Sequence, residues 1–419
     1  MDRVKGPEFK QAESISLSFP KQIKLNNDVD LYYLDEVKDD SVKLEFSWTA
    51  GTKYAKDKLI ASFTNKLLFS GTADRTAREI SEEVDFYGGY LQKNIDKDHA
   101  GFTIYCLNEN VSTIFKIVSK VLANCTFPVE ELDKERTIAL EQFKIDSEKV
   151  KNLCRRRFNA GLFGEESAYG RIVENADFEE VSKSNVEAFY KDFYQNNRPT
   201  IFLCGKVDDS FIEDLREWSS QFSSGEKANT VSLDEQQTGE FHYEQEGAIQ
   251  SAIRIGCRMF DKKHPDYFGF QLLNTVLGGY FGSRLMANIR EDKGYTYGIG
   301  SSLAVMEDAA YFFIATEVGS EVREAAINEV FKELQKLQDE AIPEDELNRV
   351  KNYMFGEFLR QSDGSLAMME CFKNIYFNQL QESYYSDFFK ALHKFTAADL
   401  QQLAQKYFQK NKMIVMSVG

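Results

Sequence analysis

The feature that most constrains this fold is a long internal repeat. The segment VSKSNVEAFYKDFYQNNRPTIFLCG, ending at Gly205, is matched by FTAADLQQLAQKYFQKNKMIVMSVG, ending at Gly419, 214 positions later. Both carry a hydroxyl residue suited to cap a helix (Ser182, Thr396), an amphipathic run, an aromatic pair and an apolar strand. Upstream, FPVEELDKERTIALEQF and IPEDELNRVKNYMFGEF repeat each other, with Pro128 and Pro343 offset by 215. A proline near a helix start, followed by acids in the first turn, suits both the fixed φ and the helix dipole. Two matches at nearly one offset predict a duplicated chain whose halves share a fold.

The polar run Ser223 to Glu240 has the composition of a connector, so halves are expected at 1–222 and 241–419 around a 223–240 linker. Alternating runs from Val42 (VKLEFSWTAG) and Ala100 (AGFTIYCL) predict strands, and the periodic run from Ala325 (AAINEVFKELQKLQ) predicts a helix. The fold class expected is α+β, a mostly antiparallel sheet covered by helices, built twice. A length of 419 residues is too great for one ordinary core, and 34 Phe with 20 Tyr suffice to fill two.

A net charge of −16 argues against nucleic acid or an anionic membrane as partner. No apolar run reaches the ~18–20 residues of a membrane span. The opening MDRVKGPEFKQAESISLSF reads as no signal peptide, and six scattered cysteines without a CxxC pair read as reduced, buried thiols. A cytoplasmic location is the expectation.

The chemistry concentrates between Leu277 and Ser302, LGGYFGSRLMANIREDKGYTYGIGSS. A helical pattern gives way at Gly294 to a strand-like one, and Arg290 and Tyr297 stand seven apart across the break. A guanidinium and a phenol are convergent donors suited to a peptide carbonyl or its oxyanion. Nothing in the chain supplies the attack. The four histidines (His99, His242, His264, His393) are far apart, so HExxH and HxxEH are both absent, as are a GxSxG elbow and a P-loop. The pairs Gly88–Gly89 and Gly278–Gly279 read as turns.

These segments, with GTADRTAREI from Gly71, resemble the pitrilysin (M16) family of zinc peptidases, which includes the mitochondrial processing peptidase and insulin-degrading enzyme. The family's zinc segment resembles GLAHFLEHMLFxGT, and the matching stretch here is LIASFTNKLLFSGT. The two histidine positions hold Ser62 and Lys66, and the glutamate base position holds Asn65. Serine is a poor zinc ligand, an amide takes no proton from water, and lysine places a cation where Zn²⁺ would sit. The third-ligand position holds Gln142, with Glu141 leaving the register open by one. Glu135 matches the family's second-sphere acid and is also placed to pair with Lys66 as an ordinary surface acid. The first half is therefore predicted to bind no metal.

Arg290 and Tyr297 match a pair that the resemblance places against the scissile carbonyl; the bland alternative has Arg290 capping its helix and Tyr297 filling core. A chain with this pair and no zinc site is expected to be inactive alone. It would pair with a homologous subunit that carries HxxEH and zinc, cleaving unfolded peptides bound as an added strand. A negative chamber would favour basic peptides. The alternatives are a non-enzymatic structural or peptide-binding homologue within a larger complex, and an inactive homodimer that sequesters peptides.

Overall fold

The computed structural model describes residues 17–36, 40–222 and 231–419. The first sheet joins β1 (Lys21–Lys24), β2 (Asp30–Leu34), β3 (Ser41–Trp48), β4 (Tyr90–Ile95), β5 (Ala100–Leu107) and β6 (Thr200–Cys204) in the order β1-β2-β6-β3-β5-β4. The second joins β7 (Gly239–Tyr243), β8 (Gln250–Met259), β9 (Ile299–Val305), β10 (Ala310–Gly319) and β11 (Ile414–Val418) in the order β7-β11-β8-β10-β9. Without β1 the two orders coincide. In each, the first strand pairs parallel with the last (β2 with β6, β7 with β11), and the other pairings are antiparallel. The α+β architecture of two alike halves is thus present in the topology as well as in the sequence.

Period-two alternation places the core. Val42, Leu44, Phe46 and Trp48 of β3 join Phe102 and Ile104 of β5 beneath the first half's helices, with the Phe46 and Phe102 rings 4.9 Å apart. Ile253, Ile255, Phe312 and Ile314 do the same in the second half. The repeated caps form as the sequence predicts: the Ser182 hydroxyl accepts the amide of Asn185, and Thr396 makes a reciprocal capping box with Asp399. Pro128 and Pro343 directly precede the helices Val129–Ser147 and Glu344–Gln361.

The opposite faces hold an arrangement that sequence order hides. The helix Val150–Phe163 belongs to the first half by sequence, yet it lies on β8 and β11 of the second sheet. There Cys154, Phe158, Leu162 and Phe163 are buried with Ala252, Ile414, Met416 and Val418. Its counterpart Ser365–Phe377, 215 positions on, lies on the first sheet, where Met369 and Phe372 are buried with Tyr32, Leu34, Phe202 and Cys204. Each half lends a helix to the other's sheet.

Residues 223–230 of the expected linker, like residues 1–16, lie outside the described part of the chain. Residues 231–238 are docked along the crossing helix, the amides of Asp234 and Gln237 donating to the carbonyls of Phe163 and Gly161 at 3.2 and 2.9 Å. That half of the linker is a packed strap and not a free connector. None of the six cysteines is in a disulfide and five are buried. Among the described residues no helix is long and apolar enough to cross a membrane.

Candidate functional site

The short helix Ile60–Lys66 carries the degenerate motif beside the edge strand β4. Ser62 is half-buried, while Asn65 is 1% exposed and faces inward. Its amide donates to the Gly101 carbonyl on β5 at 2.9 Å and to the Tyr194 hydroxyl at 3.2 Å. Burial keeps that phenol protonated, raising its pKa. Asn65 therefore ties the helix to the sheet. Lys66 points outward to Glu135, 3.5 Å away, and the Lys93 ammonium donates to the Lys66 carbonyl. Two cations and one acid, paired with Lys66, thus stand at the motif's open side.

Gln142 and Glu141 are both exposed on the helix Val129–Ser147, bonded along it to Asp146 and Lys144. Among the described residues no group of three His, Cys, Asp or Glu is arranged to hold a metal ion. The donor set here, one hydroxyl, one inward amide and one ammonium, does not fit zinc.

The second half presents its donors outward. After the helix Tyr267–Asn274, two wide π-helical turns, Thr275–Gly279 and Met286–Asp292, replace the regular helix and tight Gly-Gly turn that the sequence suggests. Arg290 sits in the second, half-buried, with its guanidinium 4.6 Å from the Phe281 ring. No described residue forms an ion pair or side-chain hydrogen bond with it, and it lies in the last turn of its helix, where a cation suits the helix dipole. Gly294 closes the segment at φ +66°, a left-handed conformation that suits glycine.

The strand reading of YTYG then fails, because β9 starts only at Ile299. Tyr295–Gly298 is a loop held from its backbone. The Thr296 hydroxyl donates to the Glu317 carbonyl at 2.7 Å and accepts the Gly298 amide at 3.1 Å. Between these anchored neighbours Tyr297 is 95% exposed, so it fills no core. Arg290 and Tyr297 do not hydrogen-bond each other, and Tyr297 alone of the two lines a cleft over β8 and β10.

Two clefts open on the inner sheet faces. One, of about 670 Å³, lies over β3, β4 and β5 against the helix Ser365–Phe377. The other, of about 570 Å³, lies over β8 and β10 against the helix Val150–Phe163 and includes Tyr297. Between the halves, the turns after β4 and β9 meet at Lys53, whose buried ammonium lies 3.1 Å from Asp98 and 3.0 Å from Asp308, with Glu307 also bonded. Sequence reasoning passes over Lys53, Phe281 and Thr296. Phe281 alone carried a local signal, being nine residues before Arg290 in the same aromatic-rich stretch.

Comparison with known proteins agrees with this geometry. Residues 35–174 match the family described as Insulinase (Peptidase family M16), and residues 180–354 match the one described as Peptidase M16 inactive domain. The chain belongs to the M16 peptidase family. Among its M16 relatives, the uncharacterized zinc protease YmxG of Bacillus subtilis is 24% identical over 74% of this chain and 76% of its own length. The mitochondrial-processing peptidase subunit beta of Dictyostelium discoideum is 23% identical over 88% and 82%. A solved M16 inactive domain from Pseudomonas fluorescens shares the fold with a TM-score of 0.85 at 20% identity, covering 96% of this chain and 98% of that one.

Proposed function

We propose that this chain is the metal-free subunit of a two-chain M16 peptidase, lending Arg290 and Tyr297 to a homologous partner that carries HxxEH and the zinc. The observation that carries the reading is the exposure of Tyr297 at 95% on a loop anchored by the Thr296 hydroxyl, seven residues after an Arg290 with no internal acceptor. A phenol this exposed gains nothing for the fold of the isolated chain and is free to donate to another molecule. Phe281 holds the guanidinium from one side and leaves its N–H edges for a peptide carbonyl. Tyr297 donates to the oxygen as it gains charge, and losing one such donor costs on the order of 100- to 1,000-fold in rate.

The metal and the base come from the partner, because Asn65 is committed to Gly101 and Lys66 to Glu135. The substrate is an unfolded peptide added as a strand at an open sheet edge such as β4. The relative from Dictyostelium is, by its name, itself a subunit, which supports an assembly of two M16 chains.

Zinc content and peptide hydrolysis measured for the chain alone, then mixed with an HxxEH homologue, test the proposal. The expected result is no stoichiometric zinc and no activity alone, and activity in the mixture that falls at least 100-fold with Arg290→Ala or Tyr297→Phe. Stoichiometric zinc in the isolated chain overturns it. Peptide binding with no hydrolysis in any mixture favours the non-enzymatic alternative.

A further inference from the structure

The internal repeat allows the two inner clefts to be compared position by position, and the comparison exposes an unbalanced charge. On the first sheet Glu45 pairs with Phe202, and on the second Arg254 pairs with Met416, 214 positions after Phe202. Glu45 and Arg254 are thus equivalent centres of the two faces. Glu45 is neutralised by Lys373 of the crossing helix at 2.7 Å, and the adjacent Lys43 by Glu370 of that helix at 2.5 Å. The first cleft's lining balances three lysines (Lys43, Lys93, Lys373) against three carboxylates (Glu45, Asp96, Glu370).

In the second cleft the partners are gone. Phe158 stands where the repeat has Lys373, Arg155 where it has Glu370, and Ala252 where it has Lys43. Arg254 is flanked across its strands by Ala315 and Met416. Its guanidinium lies 4.8 Å from the Phe313 ring and 5.9 Å from Phe158, and no described residue forms an ion pair or side-chain hydrogen bond with it. Two other part-buried arginines of this half are paired: Arg284 is held bidentate by Glu346 at 2.9 Å, and Arg258 donates to two backbone carbonyls. Burial weakens the charged state of Arg254, and the charge of Arg155 adds to that.

Lys151 lines the same cleft, and Glu317, its one carboxylate, makes no ion pair with Arg254. The crossing segment from Lys149 to Gly164 has five basic residues and no acid, in a chain of net charge −16. The expectation that overall charge selects basic peptides is therefore reversed on this face.

We infer that the cleft lined by Arg254 and Lys151 beside Tyr297, with Arg155 exposed on the same helix as Lys151, is a carboxylate-binding subsite for the bound peptide. The inference rests on the proposed function, since it takes peptide to enter at Tyr297. The guanidinium, stacked on Phe313 as a planar fork, offers two parallel N–H donors to one carboxylate. An acidic side chain and a free peptide C-terminus present the same group.

Fluorescent decapeptides binding to the full chain, read by anisotropy, separate the cases: a neutral amidated peptide, the same peptide with one central Glu, and the same neutral peptide with a free C-terminus. At least one carboxylate peptide is expected to bind about tenfold or more tightly than the neutral amide, the size of one charge-assisted hydrogen bond. Which of the two does so identifies the source. The preference should vanish in Arg254→Gln and in Lys151→Glu, the latter at an exposed helix position that leaves the core untouched. Equal affinities for all three peptides, or a preference that survives both variants, overturns the carboxylate subsite while leaving the proposed function standing. Failure of every peptide to bind, with or without the partner, overturns both.

Discussion

Lys53 joins the two halves through a single buried charge, and its removal tests that junction. The side chain is 2% exposed, and the three acids around it are 11%, 30% and 21% exposed for Asp98, Glu307 and Asp308. Lys53→Met keeps the apolar stem and deletes the cation, leaving the Tyr54, Tyr169 and His99 side chains and the Glu307 amide to face the three carboxylates. Breaking a buried ion pair by removing one partner costs about 3–5 kcal/mol. Water reaches Glu307 and Asp308, which places the expected loss near the lower end, about 3 kcal/mol.

Urea unfolding at pH 7 measures it. Trp48 and Trp218, the only two tryptophans, both pack in the first half's core, so their fluorescence follows that half while circular dichroism follows both. Acid adds a second check. Burial opposes ionisation of Glu307, but hydrogen bonds from His99 and Lys53 outweigh it and hold the carboxyl at about 2, against an ordinary 4.5. A depressed carboxyl stabilises above its unfolded pKa, and that contribution is lost as pH falls from about 4.5 towards 2. Wild type should therefore lose stability over this window faster than Lys53→Met. A midpoint for Lys53→Met within error of wild type at pH 7, or parallel acid curves, would refute the role given to this charge.

Restoring the motif glutamate with Asn65→Glu should destabilise the fold by about 2–3 kcal/mol in urea titration, because a carboxylate would replace a donor that faces the Gly101 carbonyl. Gly294→Ala should cost about 1 kcal/mol by thermal unfolding, all of it from the left-handed backbone, since no atom lies within 4 Å of the added methyl. Arg284→Ala should lower stability by about 1–3 kcal/mol, as Glu346 loses both bonds of a part-buried bidentate pair; an unchanged melting temperature would show that the pair is only superficial. Tyr297→Phe should leave the unfolding midpoint within about 0.5 kcal/mol of wild type, since the hydroxyl makes no internal bond.

Much of the architecture was legible because repetition is a sequence property: the 214–215 offset predicted two alike halves, and the caps at Ser182 and Thr396 fell where the hydroxyls stood. The expectation that Ser62, Asn65 and Lys66 replace metal ligands and base came from the family resemblance, which set the register in which their chemistry could be judged. The crossing of Val150–Phe163 was not, because an amphipathic helix states which face it buries and never against which sheet. The loop at Tyr297 read as a strand because Tyr, Thr and Ile favour strands; the hydroxyl of Thr296 and the glycine at 298 delay β9 for reasons that need the Glu317 carbonyl 21 residues away. Lys53 was passed over for a similar reason, its carboxylates lying 45 to 255 positions along the chain. Net charge hid the basic cleft because it averages over the whole surface.

The exchanged helices limit how this molecule moves. Bending the halves apart would strip Val150–Phe163 from the second sheet and Ser365–Phe377 from the first in one event, exposing two apolar faces at once. An interlock of that kind makes the single chain one rigid jaw. In the proposed assembly the hinge that admits a long peptide must then be the seam between two polypeptides, and engineering that seam, not the chain's interior, is the way to change how wide the enzyme opens.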